Sequence, residues 1–525
     1  MRRSQAVARA ATGMSAATAL SRALGFVRVL VVAAVLGTTY LGNTFQASNA
    51  VSNVLFELIA AGALSEVLVP TFVALLDRGE GEEAERVAGG VLGLALVVLG
   101  VVTVVGVVAA PWLGRLLSTG SQGHGVAAGQ EHLATFLLRF FVPQVLLYAL
   151  GAVAIAVLYA KRRFVVTALA PIGNTVVMVA ALVTFRFVHG GAGPSLNLTP
   201  GEKLLLAAAG TLGVAAFVGV PLLALRRTGF RLRPRLFRRD PAVSRLLRLS
   251  AWTVLQHAGE GVLLGAAIVL GNAVAGGVVA YQVAFVFFLA PYAVLAQPIH
   301  TAILPELSNE ATHDPDGFNA SVRWGLDSMA TLVVPCAAAL VVFALPAMRV
   351  VAFGRADSSS GVALIAAALA SLALGLYAYG SFFLLSTAFY ALGDSRTPAV
   401  IGLCGAVVGV GVMAVLVPLT HGSARVAALG LGHSAAYALA SLMLTALLWR
   451  RTGRPVLPRA LTRVTIVAAA LAVAAWTAER ALAPSGRGAT LGVLVVLLAV
   501  AGGLYALALR VVGVWRTGVE AVAGP

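Results

Sequence analysis

What most limits the folds open to this chain is the recurrence of apolar stretches long enough to cross a bilayer. About fourteen can be marked, near residues 14–37, 45–76, 87–117, 132–160, 164–188, 203–225, 243–272, 276–304, 319–348, 361–391, 397–418, 425–449, 460–479 and 489–514. Each supplies about the 20 residues that a helix needs to cross ~30 Å of hydrocarbon, and none shows the roughly ten-residue alternation of a membrane barrel. Backbone in hydrocarbon must satisfy its polar groups internally, so helices are the spanning element. A chain with 60% hydrophobic and 11% charged residues over 525 positions, and a mean hydropathy of +0.94, is therefore expected to be an all-α polytopic membrane protein.

Charge then orients the spans. The chain carries 37 Lys and Arg against 20 acids, a net +17, with lysine only at Lys161 and Lys203. The basic residues cluster in connectors, and excess Lys and Arg in short connectors marks the cytoplasmic side. Nucleic-acid binding is not needed to explain them. Lys161 to Arg163, the 226–248 loop and the 450–463 loop fall on that side, and an even helix count leaves both termini there. A multi-pass protein of the cytoplasmic membrane is expected. The 226–248 loop alone holds nine arginines, from Arg226 to Arg248, against Asp240. Arg2, Arg3 and Arg9 before an apolar run imitate a signal peptide, but Arg22 and Arg28 interrupt that run, so an uncleaved first helix is expected.

Several chemistries find no support. Cys336 and Cys404 lie inside apolar runs, away from metal-ligand spacing, so neither a disulfide framework nor a metal site is indicated. No HExxH, phosphate-binding glycine loop, GxSxG elbow or CxxC pair occurs. The chain reads as a transporter without a cofactor and not as an enzyme, and an ATP-driven pump is disfavoured.

A weak internal echo divides the chain. Pro70 and Pro305 each close an apolar run, 235 positions apart, and Tyr159-Ala160 and Tyr390-Ala391 are offset by 231. Duplicated six-helix halves follow: an N-terminal lobe over 1–225, the basic loop 226–248, a C-terminal lobe over 249–450, and two further helices within 451–525. Pro70, Pro143, Pro171, Pro221, Pro291, Pro298 and Pro335 fall inside spans, where each is either a kink used in movement or one of the prolines that membrane helices tolerate.

The candidate site begins in the first span. An arginine at the centre of a bilayer costs at least ~2.5 kcal/mol on insertion scales, so it normally faces a protein interior or a watery cavity. Arg22 and Arg28 lie ~9 Å apart along an ideal helix and ~120° apart around it. Arg28 shares a face with Ser21 and Gly25, whose small size admits a neighbouring helix or a ligand. A guanidinium suits a phosphate because its planar fork donates two hydrogen bonds and stays charged. The competing reading is that Arg22 snorkels to the interface and Arg28 pairs structurally with an acid. Glu57 is the expected acidic partner, as a structural counter-ion or as a proton-binding group. Arg139 is a third cavity candidate, with snorkelling again the alternative. Asn53, Asn174, Gln256 and Gln282, with His257, Glu260, Gln297 and His300, supply polar groups for a hydrated path, or for helix–helix hydrogen bonds.

These residues carry a resemblance. SRALGFVR (21–28), the run from Asn43 to Phe72, LLRFFVPQ (137–144), ALAPIGN (168–174), the run from Ala290 to Ser308 and FYALGDSRTP (389–398) together resemble the MurJ/MviN-type lipid II flippases. These belong to the multidrug/oligosaccharidyl-lipid/polysaccharide exporter superfamily. The resemblance implies fourteen helices in two lobes around a central cavity. It also implies alternating access that carries an undecaprenyl-pyrophosphate-linked cell-wall precursor from the inner to the outer leaflet. Arg22 and Arg28 match the family's cavity arginines, which implies that they meet the pyrophosphate. Implied partners are that lipid-linked substrate, membrane lipids, and proteins of cell-wall synthesis or division. Differences are Phe56 where the family often has a basic residue, Ala61 where it has an acid, Asn43 where it has an aspartate, and no clear counterpart near Tyr281 of an arginine in the eighth helix; actinobacterial members vary similarly. The alternatives are an exporter of another polyprenyl-linked glycan, and a non-transporting scaffold for cell-wall assembly.

Overall fold

The computed structural model describes residues 2–56, 62–121, 123–190, 195–235, 255 and 258–511, and these contain helices and no strand. Eleven helices are long and apolar enough to cross a membrane, or twelve when the bent pair 359–391 counts as one span. The expected spans 45–76 and 243–272 are each interrupted by residues outside the described set, so the count of fourteen is not reached within it. Two shorter apolar helices, Leu68–Asp77 and Ala258–Gly271, lie in those stretches.

The chain separates into two compact units, Met1–Gly261 and Val262–Pro525. The first holds α1 (Arg2–Leu36), α2 (Tyr40–Phe56), α3 (Gly62–Asp77), α4 (Gly81–Val108), α5 (Ala110–Ser118), α6 (His124–Phe141), α7 (Gln144–Ala160), α8 (Phe164–Val188) and α9 (Pro200–Arg226). After α10 (Ala258–Gly271), the second continues with α11 (Gly277–Pro291), α12 (Gln297–His313), α13 (Pro315–Val351), α14 (Ser359–Ala373), α15 (Leu376–Ala391), α16 (Arg396–Leu419), α17 (Gly422–Thr452), α18 (Leu461–Leu482) and α19 (Arg487–Val511).

Each unit repeats the same internal plan. In the first, α2 packs on α6, α3 on α7, and α7 and α8 on α9. In the second, α11 packs on α14, α12 on α15, and α15 and α16 on α17. Breaks recur too. Residues 142–143 separate α6 from α7, and residues 374–375 separate α14 from α15, with a bend of 44° in the second case. Pro143 explains the first break, since it cannot donate to the Arg139 carbonyl. Gly375 occupies the second, where a Cβ would lie 2.6 Å from the Ser434 Cα. The turn after α7 holds Arg162 at φ +57° and the turn after α15 holds Gly393 at φ +74°, 231 positions apart. Of the other prolines, Pro291 ends α11 before a π-helical segment, Tyr292–Ala296, and Pro298 sits in the first turn of α12. Pro70, Pro171, Pro221 and Pro335 are carried within helices.

Small residues set the closest packing, as expected where lipid gives helices no hydrophobic reason to associate. On α16, Gly405 and Gly409 are four residues apart, and their Cβ positions would fall 2.6 Å from the Ala436 and Gly432 carbonyl oxygens of α17. Polar ties close the ends. Asp394 accepts hydrogen bonds from the Thr397 amide (3.0 Å) and hydroxyl (2.8 Å), and pairs with Arg451 at 2.8 Å. Partial burial by itself would raise this carboxyl, but those donors outweigh it and hold the carboxyl below its ordinary value. The final helices, α18 and α19, pack on α13. Asp327 of α13 accepts the Ala460 amide (2.8 Å) at the start of α18, and Arg487 at the start of α19 pairs with Asp357 at 2.6 Å.

Two measurements test this packing. Gly409→Ala should destabilise the protein by about 1–3 kcal/mol, because its Cβ meets backbone. Gly411→Ala on the same helix, with open space around it, should leave the melting temperature unchanged or raised. Asp394 contributes stability above the unfolded carboxylate pKa, and loses it as pH falls through the lower folded value. Melting temperature should therefore drop below about pH 4, and drop less in Asp394→Asn.

Candidate functional site

Arg28 lies eight residues, ~12 Å of helix rise, before the end of α1 at Leu36, and Arg22 lies fourteen residues, ~21 Å, before it. In ~30 Å of hydrocarbon this puts Arg28 near mid-depth and Arg22 in the far third. Arg22 is exposed and Arg28 half-buried. No carboxylate among the described residues forms an ion pair with Arg28. Its electrostatic neighbour is the Tyr148 phenol of α7. Glu57, the expected acidic partner, lies outside the described residues, as does Gln256. Ser21 is buried, yet the Cβ position of Gly25 has nothing within 4 Å. The small-residue face beside Arg28 is thus covered at Ser21 and open at Gly25.

The Tyr148 hydroxyl donates to Asn53 Oδ1 of α2 at 2.8 Å, and the Tyr148 ring meets Phe217 of α9 edge-on at 6.1 Å. One helical turn before Tyr148, the fully buried Gln144 continues the polar line. Its Oε1 accepts from Ser52 of α2 (3.3 Å), and its Nε2 donates to Thr211 Oγ1 of α9 (3.1 Å). The Thr211 hydroxyl in turn donates to the Phe140 carbonyl (3.2 Å). That carbonyl is free because the helix breaks at Pro143, so the break creates an acceptor and the α9 hydroxyl meets it. Asn53, Tyr148, Ser52, Gln144 and Thr211 therefore form a polar seam across α2, α7 and α9, and Arg28 neighbours it through Tyr148.

The remaining expected residues are more scattered. Arg139 is exposed on α6, one turn before the break. Asn174 is buried on α8 with its Oδ1 lacking a hydrogen-bond donor, lying 2.5 Å from where a Cβ on Gly213 of α9 would be. It packs in the α8–α9 contact and takes no part in the polar seam. Gln282 is half-buried on α11. In the second unit His300 meets the Tyr292 hydroxyl through Nε2 at 3.0 Å. Tyr148 escaped the sequence reading, although its spacing from Gln144 puts both on one helix face. His433, an ionisable residue deep in an apolar span, also escaped it.

A second feature is apolar. Between α13, α18 and α19 runs a groove of about 260 Å³ lined by residues such as Ala339, Phe343, Leu471, Ala472, Leu498 and Gly502. Tyr505 also borders it, its hydroxyl bonded to the Thr331 carbonyl at 2.8 Å. The outward faces of α18 and α19 expose Ile466, Val473, Val495, Val496 and Leu504, as lipid contact allows.

A family model described as lipid II flippase MurJ matches residues 32–505. The probable lipid II flippase MurJ of Rhizobium tropici is 29% identical over 391 residues, covering 73% of this chain and 70% of that protein. The lipid II flippase MurJ of Burkholderia cenocepacia is 28% identical over 417 residues, covering 75% of each. A solved lipid II flippase MurJ in an inward closed conformation aligns with a TM-score of 0.73 at 16% identity, over 95% of this chain and 99% of that one. An inward-facing multidrug resistance MATE family transporter gives 0.65 at 14% identity, over 82% and 94%. At these identities the two structures speak for the fold alone.

The seam predicts unequal responses. Gln144→Ala removes the hydrogen bonds that Gln144 makes with Ser52 and Thr211 and should cost about 1–3 kcal/mol in unfolding experiments. Gly25→Ala puts its Cβ in open space and should leave stability unchanged or higher.

Proposed function

Because the chain belongs to the lipid II flippase MurJ family, we propose that it carries lipid II, the undecaprenyl-pyrophosphate-linked peptidoglycan precursor, from the inner to the outer leaflet of the cytoplasmic membrane. The observation that supports this most directly is Arg28: a guanidinium near mid-depth, half-buried, without a carboxylate partner among the described residues, beside an open small-residue face. A charge held there favours an anion, and its two-pronged donor geometry fits a pyrophosphate. Tyr148, an electrostatic neighbour of Arg28, is itself held by its hydrogen bond to Asn53. Arg22 meets the same headgroup nearer the entry side, and Arg139 adds positive potential on α6. Glu57, Asn174, Gln256 and Gln282 are assigned a supporting role in lining the path.

The lobes are taken as residues 1–225 and 249–450, joined by the basic loop 226–248, with 451–525 as accessory helices. Alternating access requires the lobes to move as bodies, and the compact packing within each unit is compatible with that. Both termini and the basic connectors are assigned to the cytoplasm. The sugar and pyrophosphate travel through the protein, while the apolar groove along α13, α18 and α19 offers a place for part of the prenyl chain.

The test is complementation of cells depleted of their lipid II flippase, scoring lipid II accessible at the outer leaflet. Wild type should restore accessibility. Arg28→Ala, inserted at equal level, should lose at least tenfold in rate, the equivalent of one charge-assisted hydrogen bond of about 1.5–3 kcal/mol. Failure of well-inserted wild type to restore accessibility would refute the lipid II assignment.

A further inference from the structure

Past the end of α9 the chain turns back at Gly229, at φ +75°, and residues 230–235 then run without helical structure along α4. Four ties hold this strap. Phe230 is buried in a core that includes Phe72, Val87 and Leu158, and Leu232 packs against the same core. The Arg231 amide donates to Glu85 Oε1 at 2.7 Å, and the Arg235 amide donates to the Gly89 carbonyl at 2.9 Å. The close approach depends on glycine, since Cβ atoms at Gly89 and Gly93 of α4 would collide with the Arg233 and Arg235 carbonyl oxygens.

The ties decide which side chains face outward. Alternate residues of an extended segment point to opposite sides. Phe230 and Leu232 take the core side, and Arg231, Arg233 and Arg235 are exposed. The turn after α7 adds a second basic edge: Lys161 Nζ lies 5.3 Å from the centre of the Phe230 ring, and Arg162 and Arg163 are exposed. With Arg226 and Arg227 at the end of α9, eight basic side chains stand at this end of the first unit. None of the eight forms an ion pair with a carboxylate among the described residues. The acids at this end lie around the turn from α3 to α4, where Glu83 pairs with Arg86 and Glu85 is taken by the strap's own amide. Within about a turn of the basic residues, Tyr159, Val165 and Leu223 are exposed on α7, α8 and α9. Exposed apolar side chains beside exposed basic ones mark the level where hydrocarbon gives way to headgroups.

We propose that the strap and the α7–α8 turn form a binding surface for the phosphate groups of anionic phospholipids. Orienting the spans needs only charge in a connector. Here the connector also has a fixed course, which holds the three strap arginines in one array. A guanidinium in the headgroup layer donates to phosphate oxygens through its two-pronged edge, while its stem lies along apolar surface. An acidic protein segment would meet the same charge, but the apolar rim puts this surface against lipid, so headgroups are the occupant within constant reach. Calling the leaflet cytoplasmic rests on the orientation assigned above. The binding itself does not depend on which lipid the chain carries.

The test is native mass spectrometry of the full chain in detergent, without lipid II, titrated with phosphatidylglycerol and separately with phosphatidylcholine. Wild type should bind its first phosphatidylglycerol at least about tenfold more tightly than phosphatidylcholine, and the difference should shrink as salt rises. The variant carrying Arg231→Gln, Arg233→Gln and Arg235→Gln changes exposed side chains only and should melt with wild type. It should lose at least about fivefold of the preference, the equivalent of one basic contact of ~1 kcal/mol. Phe230→Ala keeps every charge but unpins the strap, and should lose part of the preference as well. A wild type that binds both lipids equally overturns the proposal. So does a triple variant with the wild-type preference, in which case the arginines serve another partner, such as an acidic protein segment. Either failure leaves the flippase reading to its own complementation test.

Discussion

Charge in hydrocarbon is tolerated only where the protein gives it surroundings, and in this chain that requirement is concentrated on Arg28. A central arginine costs at least ~2.5 kcal/mol against an apolar residue. Arg28 is half-buried, near the open position at Gly25, and no carboxylate among the described residues pairs with it. The polar seam of Asn53, Tyr148, Gln144 and Thr211 then reads as the structure behind the charge. It spans three helices, and it uses the Phe140 carbonyl at the break between α6 and α7. The break between α6 and α7 is thus a source of polarity.

The same device appears in the second unit with different chemistry. There a glycine makes the break, Ser434 satisfies the exposed carbonyls, and aromatic rings replace the hydrogen-bonded seam. Matching breaks and matching positive-φ turns, about 231 positions apart, recur in the two units. What differs is the polarity each break carries: a hydrogen-bonded seam in the first unit, an imidazole enclosed by aromatic rings in the second. A guanidinium keeps its charge at any working pH, which suits binding a phosphate.

Much of this was legible from the residues. The spans from Phe164 to Val188 and from Arg396 to Leu419 follow their apolar runs within a residue or two, because hydrocarbon admits only one backbone solution. Pro143 announced its break, whereas the Gly375 break has no proline to mark it, and glycine is common throughout these helices. The openness at Gly25 could not be read, since a small residue serves equally for close helix packing and for vacant space. Asn174 shows the converse: an amide expected on a hydrated path is consumed by the α8–α9 contact, because Gly213 lets α9 approach it. Partners across helices, such as Tyr148 with Asn53, depend on tertiary neighbours that spacing along one helix does not reveal.

The central claim is that Arg28 recognises a pyrophosphate. Its most direct measurement is binding of undecaprenyl pyrophosphate, against undecaprenyl monophosphate, to wild type and Arg28→Gln in nanodiscs. The account predicts that wild type prefers the pyrophosphate and that Arg28→Gln loses about tenfold, ~1.4 kcal/mol, of that preference while still binding the prenyl chain. Equal affinities of both lipids for both proteins would contradict it.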